Sequence, residues 1–144
     1  MTILSFRPLQ PSDPEAFLVP ALSARAAGGF PSPAADHYEP PISLDELLEL
    51  RAPHIWLVET EGESMAPCGI MNRSRLVVDR ARDAVAGNVV VVFVDNQPLV
   101  KRLAYSQGKW ALESDDPAYP PIPIDQYESI DMFGVVTWSL TEHV

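Results

Sequence analysis

The run Asn88–Val94 sets the strongest limit on what this chain can fold into. After its asparagine it reads Val-Val-Val-Val-Phe-Val. β-Branched side chains have restricted rotamers and favour extended backbone. The run shows no polar alternation, so both faces need cover, as in a strand at the centre of a sheet. Asp95-Asn96-Gln97-Pro98 reads as a turn, and Leu99–Tyr105 returns as its hairpin partner. Ile55–Thr60, Arg75–Asp79, Trp110–Glu113 and Phe133–Trp138 supply further strands. Pro117–Ile124 is broken by prolines and belongs in a loop or at an edge. A short helix precedes them. Ser43 caps it, Glu46 completes a capping box, and Leu44, Leu47 and Leu48 form its inner face. The fold class expected is mainly β: a small twisted multi-sheet domain with one or two short helices.

The first 41 residues differ in kind. Prolines stand at positions 8, 11, 14, 20, 31, 33, 40 and 41, and Ala26-Ala27-Gly28-Gly29 is a small-residue hinge. Proline blocks helix and withholds a ladder donor, so this stretch is expected to run extended or irregular. Such a segment is open to cleavage. The expected division is therefore an N-terminal arm, residues 1–41, and a domain, residues 42–144. A chain of 144 residues suits one core with a short appendage.

Charge and composition exclude several functions. The formal net charge is −10, and Leu112–Val144 holds seven acidic residues with no Lys or Arg. That argues against sequence-specific DNA binding driven by a basic face. No apolar run approaches the ~20 residues of a membrane span, and no secretory leader is legible. The single cysteine, Cys68, fits a reducing cytoplasm. The motifs require no cofactor and no metal.

Chemistry concentrates in Glu61–Ile70. A strand that ends in Gly62-Glu63-Ser64 and cannot continue past Pro67 puts the Ser64 hydroxyl on a tight bend. Backbone N–H groups at such a bend can face a developing oxyanion. Serine needs a base. His37 lies in the arm, His143 is penultimate, and His54 precedes the first strand with no evident acidic partner. Of the two lysines, Lys109 sits in a polar turn, whereas Lys101 shares a strand face with Leu99, Leu103 and Tyr105. Burial on an apolar face disfavours the ammonium and readies the amine to accept a proton. A stem that packs while its head reaches water is the alternative for Lys101. Which base serves depends on which meets Ser64 in space. Cys68 reads as a small packing residue, not a nucleophile.

Four segments together carry a resemblance to the LexA-like self-cleaving serine peptidases, and within them to the UmuD branch. Gly28-Gly29-Phe30-Pro31-Ser32-Pro33-Ala34-Ala35-Asp36 is similar to that branch's cleavage segment. Gly62-Glu63-Ser64-Met65 with Gly69-Ile70 resembles the nucleophile motif, Val100-Lys101-Arg102-Leu103 the segment of the basic lysine, and Asp131–Val136 the closing strand. The resemblance spans about residues 28–144. It implies a LexA/signal-peptidase-like domain and a Ser64–Lys101 dyad. It implies a scissile bond at Gly28–Gly29, with Ala27–Gly28 as the competing register. Self-cleavage stimulated by a RecA–single-stranded DNA filament, homodimerisation and service to a UmuC-like Y-family polymerase in the SOS response are implied as well. Signal peptidases share Ser64-Met65-Ala66-Pro67, but they work from a membrane anchor. Only 28 residues precede the expected cut, too few for the DNA-reading domain of a LexA-type repressor. Gly28 stands where the family usually has Cys or Ala. Asn72-Arg73-Ser74, Gly87-Asn88, Glu63 and Asp115-Asp116 also depart from its pattern. The rival expectation is a dimeric scaffold for a polymerase in which the dyad is vestigial.

Overall fold

The computed structural model describes residues 1–9, 18–22 and 38–144, with backbone alone at 18–22, 38 and 39. The chain divides into two compact units, Met1–Leu9 with Pro53–Val144, and Gln10–Ala52. The expected bond Gly28–Gly29, Ala27 and His37 lie outside the described residues.

The larger unit is the mainly β domain. Its strands are β1 (Thr2–Pro8), β4 (Ile55–Glu61), β5 (Arg75–Asp79), β6 (Val89–Val94), β7 (Gln97–Ser106), β8 (Lys109–Glu113), β9 (Ile122–Pro123) and β10 (Ile130–Leu140). They form one antiparallel sheet in the order β1-β4-β5-β10-β6-β7-β8-β9. Thr2 also pairs with Leu99 of β7, which curls the first six strands of that order into a closed barrel-like ring. The multi-sheet domain expected from sequence is thus a single sheet bent round on itself. β6 lies between β10 and β7, as its composition demands. Val91 enters one core cluster, with Ile3, Val58, Met65, Leu76, Val78 and Val100. Val90, Val92 and Val94 enter a second, with Leu103, Leu112 and Val135. The β6–β7 turn is tighter than expected: Asp95 and Asn96 both have positive φ, a two-residue hairpin, so β7 already starts at Gln97.

The irregular arm expected of residues 1–41 fails at its start. Before the first proline, Thr-Ile-Leu-Ser-Phe-Arg has strand chemistry, and β1 pairs with β4 from Thr2↔Glu61 to Pro8↔Trp56. Ile3 is buried, and Phe6 packs against Phe93 and Phe133 at ring separations of 5.7 and 4.9 Å. Pro8 stands at the strand end, where a missing N–H costs least.

In the smaller unit, β2 (Leu18–Leu22) pairs antiparallel with β3 (Tyr38–Ser43). The helix α1 covers only Leu44–Leu47. Ser43 caps it as expected, its Oγ accepting from Glu46 N–H at 3.3 Å. Leu48 is buried, but Leu44 and Leu47 are exposed. One turn is too short to present a face, and Glu49 at φ +57° takes the chain out of helix. No helix among the described residues is long and apolar enough to cross a membrane.

Candidate active site

Ser64 is placed by the turn that leaves β4. Gly62 takes φ +112°, a conformation L side chains rarely adopt. Its N–H donates to Asn72 Oδ1 at 2.9 Å. Ala66–Cys68 then forms one turn of 3-10 helix with Pro67 inside it. Met65 is fully buried and pins the turn to the first core cluster. Ser64 is itself 1% exposed. The bend read from sequence is present, and it is tied down from behind. Thr60 N–H and Thr60 Oγ1 both donate to Ser74 C=O, and Met71 N–H donates to Ser74 Oγ. Asn72-Arg73-Ser74, which stood out in the sequence only as a departure from the family pattern, is a brace for the Ser64 loop.

Lys101 lies on β7 opposite Val90 and is 6% exposed. Leu103 on the same face is buried, whereas Tyr105 at the strand end is exposed. Burial pushes the Lys101 amine below the ordinary lysine range. Lys101 Nζ donates to Ser114 Oγ at 2.6 Å and lies 6.0 Å from the Tyr119 ring centroid. Lys109 is exposed, as expected of a turn lysine.

Ser64 and Lys101 meet through the tripeptide Ser114-Asp115-Asp116, which follows β8. Ser114 holds the amine. Asp115 N–H reaches Met65 Sδ at 3.4 Å, and Asp116 N–H donates to Ser64 C=O at 3.0 Å. The Asp115 carboxylate takes Arg102 Nε and Nη2, each at 2.7 Å. Hydrogen bonding from Arg102 holds Asp115 below the usual carboxylate range. A second amine is also present: Met1 donates to Ser64 Oγ at 2.9 Å. Burial, and then the Lys101 charge, lower the basicity of that amine. Among the described residues Ser64 Oγ and Lys101 Nζ thus each have a partner other than one another.

The other candidates fall elsewhere. His54 has an acidic partner after all, Asp79, with Nε2 and Oδ1 3.4 Å apart. Asp79 also faces Arg82 and caps Ala81 N–H, so this pair belongs to the β5 terminus. Cys68 is exposed, not packed. Partial burial raises its thiol pKa, and the thiol donates to Met65 C=O. A buried serine and a buried amine of lowered basicity are the two kinds of group that nucleophilic attack with proton transfer requires.

A family model described as Peptidase S24-like matches residues 20–137. The chain is 35% identical to Protein ImpA of Salmonella typhimurium over 139 residues, 95% of this chain and 93% of that protein. It is 33% identical to Protein MucA of Escherichia coli over 127 residues, 87% of this chain and 86% of the other. It is also 33% identical to the LexA repressor of Bordetella petrii over 114 residues, 79% of this chain but 50% of the repressor.

Proposed function

Because the chain belongs to the Peptidase S24-like family, we propose that it is a self-cleaving serine endopeptidase of the UmuD type, with Ser64 as nucleophile and Lys101 as base. The observation that carries the reading is the shared tripeptide 114–116, which ties a buried serine and a buried amine of lowered basicity to one segment.

In this mechanism Ser64 Oγ attacks the carbonyl carbon of Gly28. Neutral Lys101 takes the hydroxyl proton and delivers it to the departing amine of Gly29. Water, deprotonated in turn by Lys101, hydrolyses the acyl-enzyme and frees Ser64. Backbone N–H groups at the Ser64 bend hold the oxyanion, worth about 3–4 kcal/mol per donor. Attack within the chain or a dimer gains its rate from proximity. A RecA–single-stranded DNA filament acts by favouring the docked cleavage segment. The cleaved homodimer serves a UmuC-like Y-family polymerase. The match to ImpA along nearly its whole length, against half of the LexA repressor, supports the short mutagenesis-protein type over a repressor.

Incubation at pH 7–10 followed by intact-mass measurement tests this. The rate is expected to rise with pH, since the active Lys101 is uncharged. The large product is expected to start at Gly29 with 144 − 28 = 116 residues. Ser64→Ala and Lys101→Ala are expected to stay whole, while Lys109→Ala cleaves. The partners of Ser64 and Lys101, Met1 and Ser114, favour a second reading, a dimeric scaffold with an idle dyad. A folded chain that stays whole for many hours at pH 9–10, with and without activated filament, would establish it.

A further inference from the structure

We propose that Ser114 is a positioning residue that fixes the Lys101 amine and aims its lone pair. The inference rests on the reading of Lys101 as the base.

A lysine stem has four rotatable bonds and a head with no preferred direction. Here the head is held by one short hydrogen bond to Ser114 Oγ, at 2.6 Å. The strand ladder sets that contact. β7 and β8 pair at Arg102↔Glu113, so the register carried one step past the end of β8 sets Ser114 opposite Lys101. Asp115 and Asp116 then anchor the same segment on Met65 and Ser64. The two-pronged Arg102–Asp115 pair keeps the segment from sliding. The position of the Ser114 hydroxyl relative to Ser64 is therefore set within one tripeptide.

The chemistry of the amine gives the contact its role. Neutral lysine keeps two N–H bonds and gains one lone pair. With one N–H retained on Ser114, the lone pair is free to face the nucleophile. The other charged or titratable groups around Lys101 are the Met1 amine just before β1, the Tyr119 phenol, Arg102, and the carboxylates of Asp115 and Asp116. Asp115 is turned to Arg102, and Asp116 Oδ1 accepts from Ala118 N–H. Ser114 is thus the described acceptor for the ammonium, opposing the burial that lowers its basicity.

The chain has two lysines, so a Lys109→Arg background leaves one lysine signal in a carbon-13 titration. In that background Ser114→Ala is expected to lower the Lys101 midpoint, because the acceptor is gone while the burial stays. It is also expected to slow alkaline self-cleavage about tenfold in a chain that still folds. Ser114→Thr is expected to restore both values. An unmoved Lys101 midpoint in Ser114→Ala overturns the proposal whatever the rate does. A moved midpoint in a chain that never cleaves upholds the contact and removes the dyad reading. An unmoved midpoint in a chain that cleaves removes Ser114 and keeps the dyad.

Discussion

Lys101 and Arg102 are neighbours on β7 with separate partners. Successive strand residues face opposite sides, so one amine goes to Ser114 and one guanidinium to Asp115. Arg102→Ala is expected to lower stability by about 1–2 kcal/mol, because a third of Arg102 is exposed and water screens part of the pair. Asp115 is held below its unfolded pKa, so this contribution is present above the ordinary carboxylate range near ~4 and lost as pH falls through the folded value. Urea midpoints of wild type and Arg102→Ala are accordingly expected to differ at pH 7 and to converge in acid. At this scale the sequence carried the bend at Ser64 and the burial of Lys101, because a strand-end Gly-x-Ser before proline and a lysine among alternating apolar residues each have a physical signature. It did not carry Ser114 or the Asp79 partner of His54. A polar loop residue has no periodicity, and its partner is chosen by strand register that only the folded sheet supplies.

Among the elements, β10 shows what composition can and cannot convey. Its apolar run was legible as a strand, but its register shifts against β6 between Met132 and Gly134 and against β5 between Val136 and Trp138. Such irregularities bend a strand and let one sheet close. Gly134 sits at the first. A Cβ there would lie 2.7 Å from Val78 Cγ1 and 2.8 Å from Asp79 O. Backbone cannot retreat as a side-chain tip can, so Gly134→Ala is expected to destabilise by about 1–3 kcal/mol, read as a lower urea midpoint. The proline-rich start was the harder element. Its prolines are real obstacles to a core strand, yet they begin only at position 8, and Ile3 and Phe6 had already supplied enough apolar surface to join β4. The general signal of the segment concealed the local one.

For the whole molecule, β1 belongs to the larger unit although it lies N-terminal to the proposed scissile bond. It closes the ring at Leu99, buries Ile3 and stacks Phe6. Cleavage at Gly28–Gly29 would cut the covalent chain without breaking any of these contacts. The cleaved protein is then a split-protein complement, two polypeptides sharing one barrel. Its fragments are expected to elute together under native conditions and to separate in denaturant, and Phe6→Ala is expected to release the small fragment faster. Activation would thus have two clocks: the first is scission, and the second is the off-rate of a seven-residue strand. Until that strand departs, the β1-facing edge of β4 stays occupied and an amine stays on Ser64; once it departs, that edge and that hydroxyl are bare.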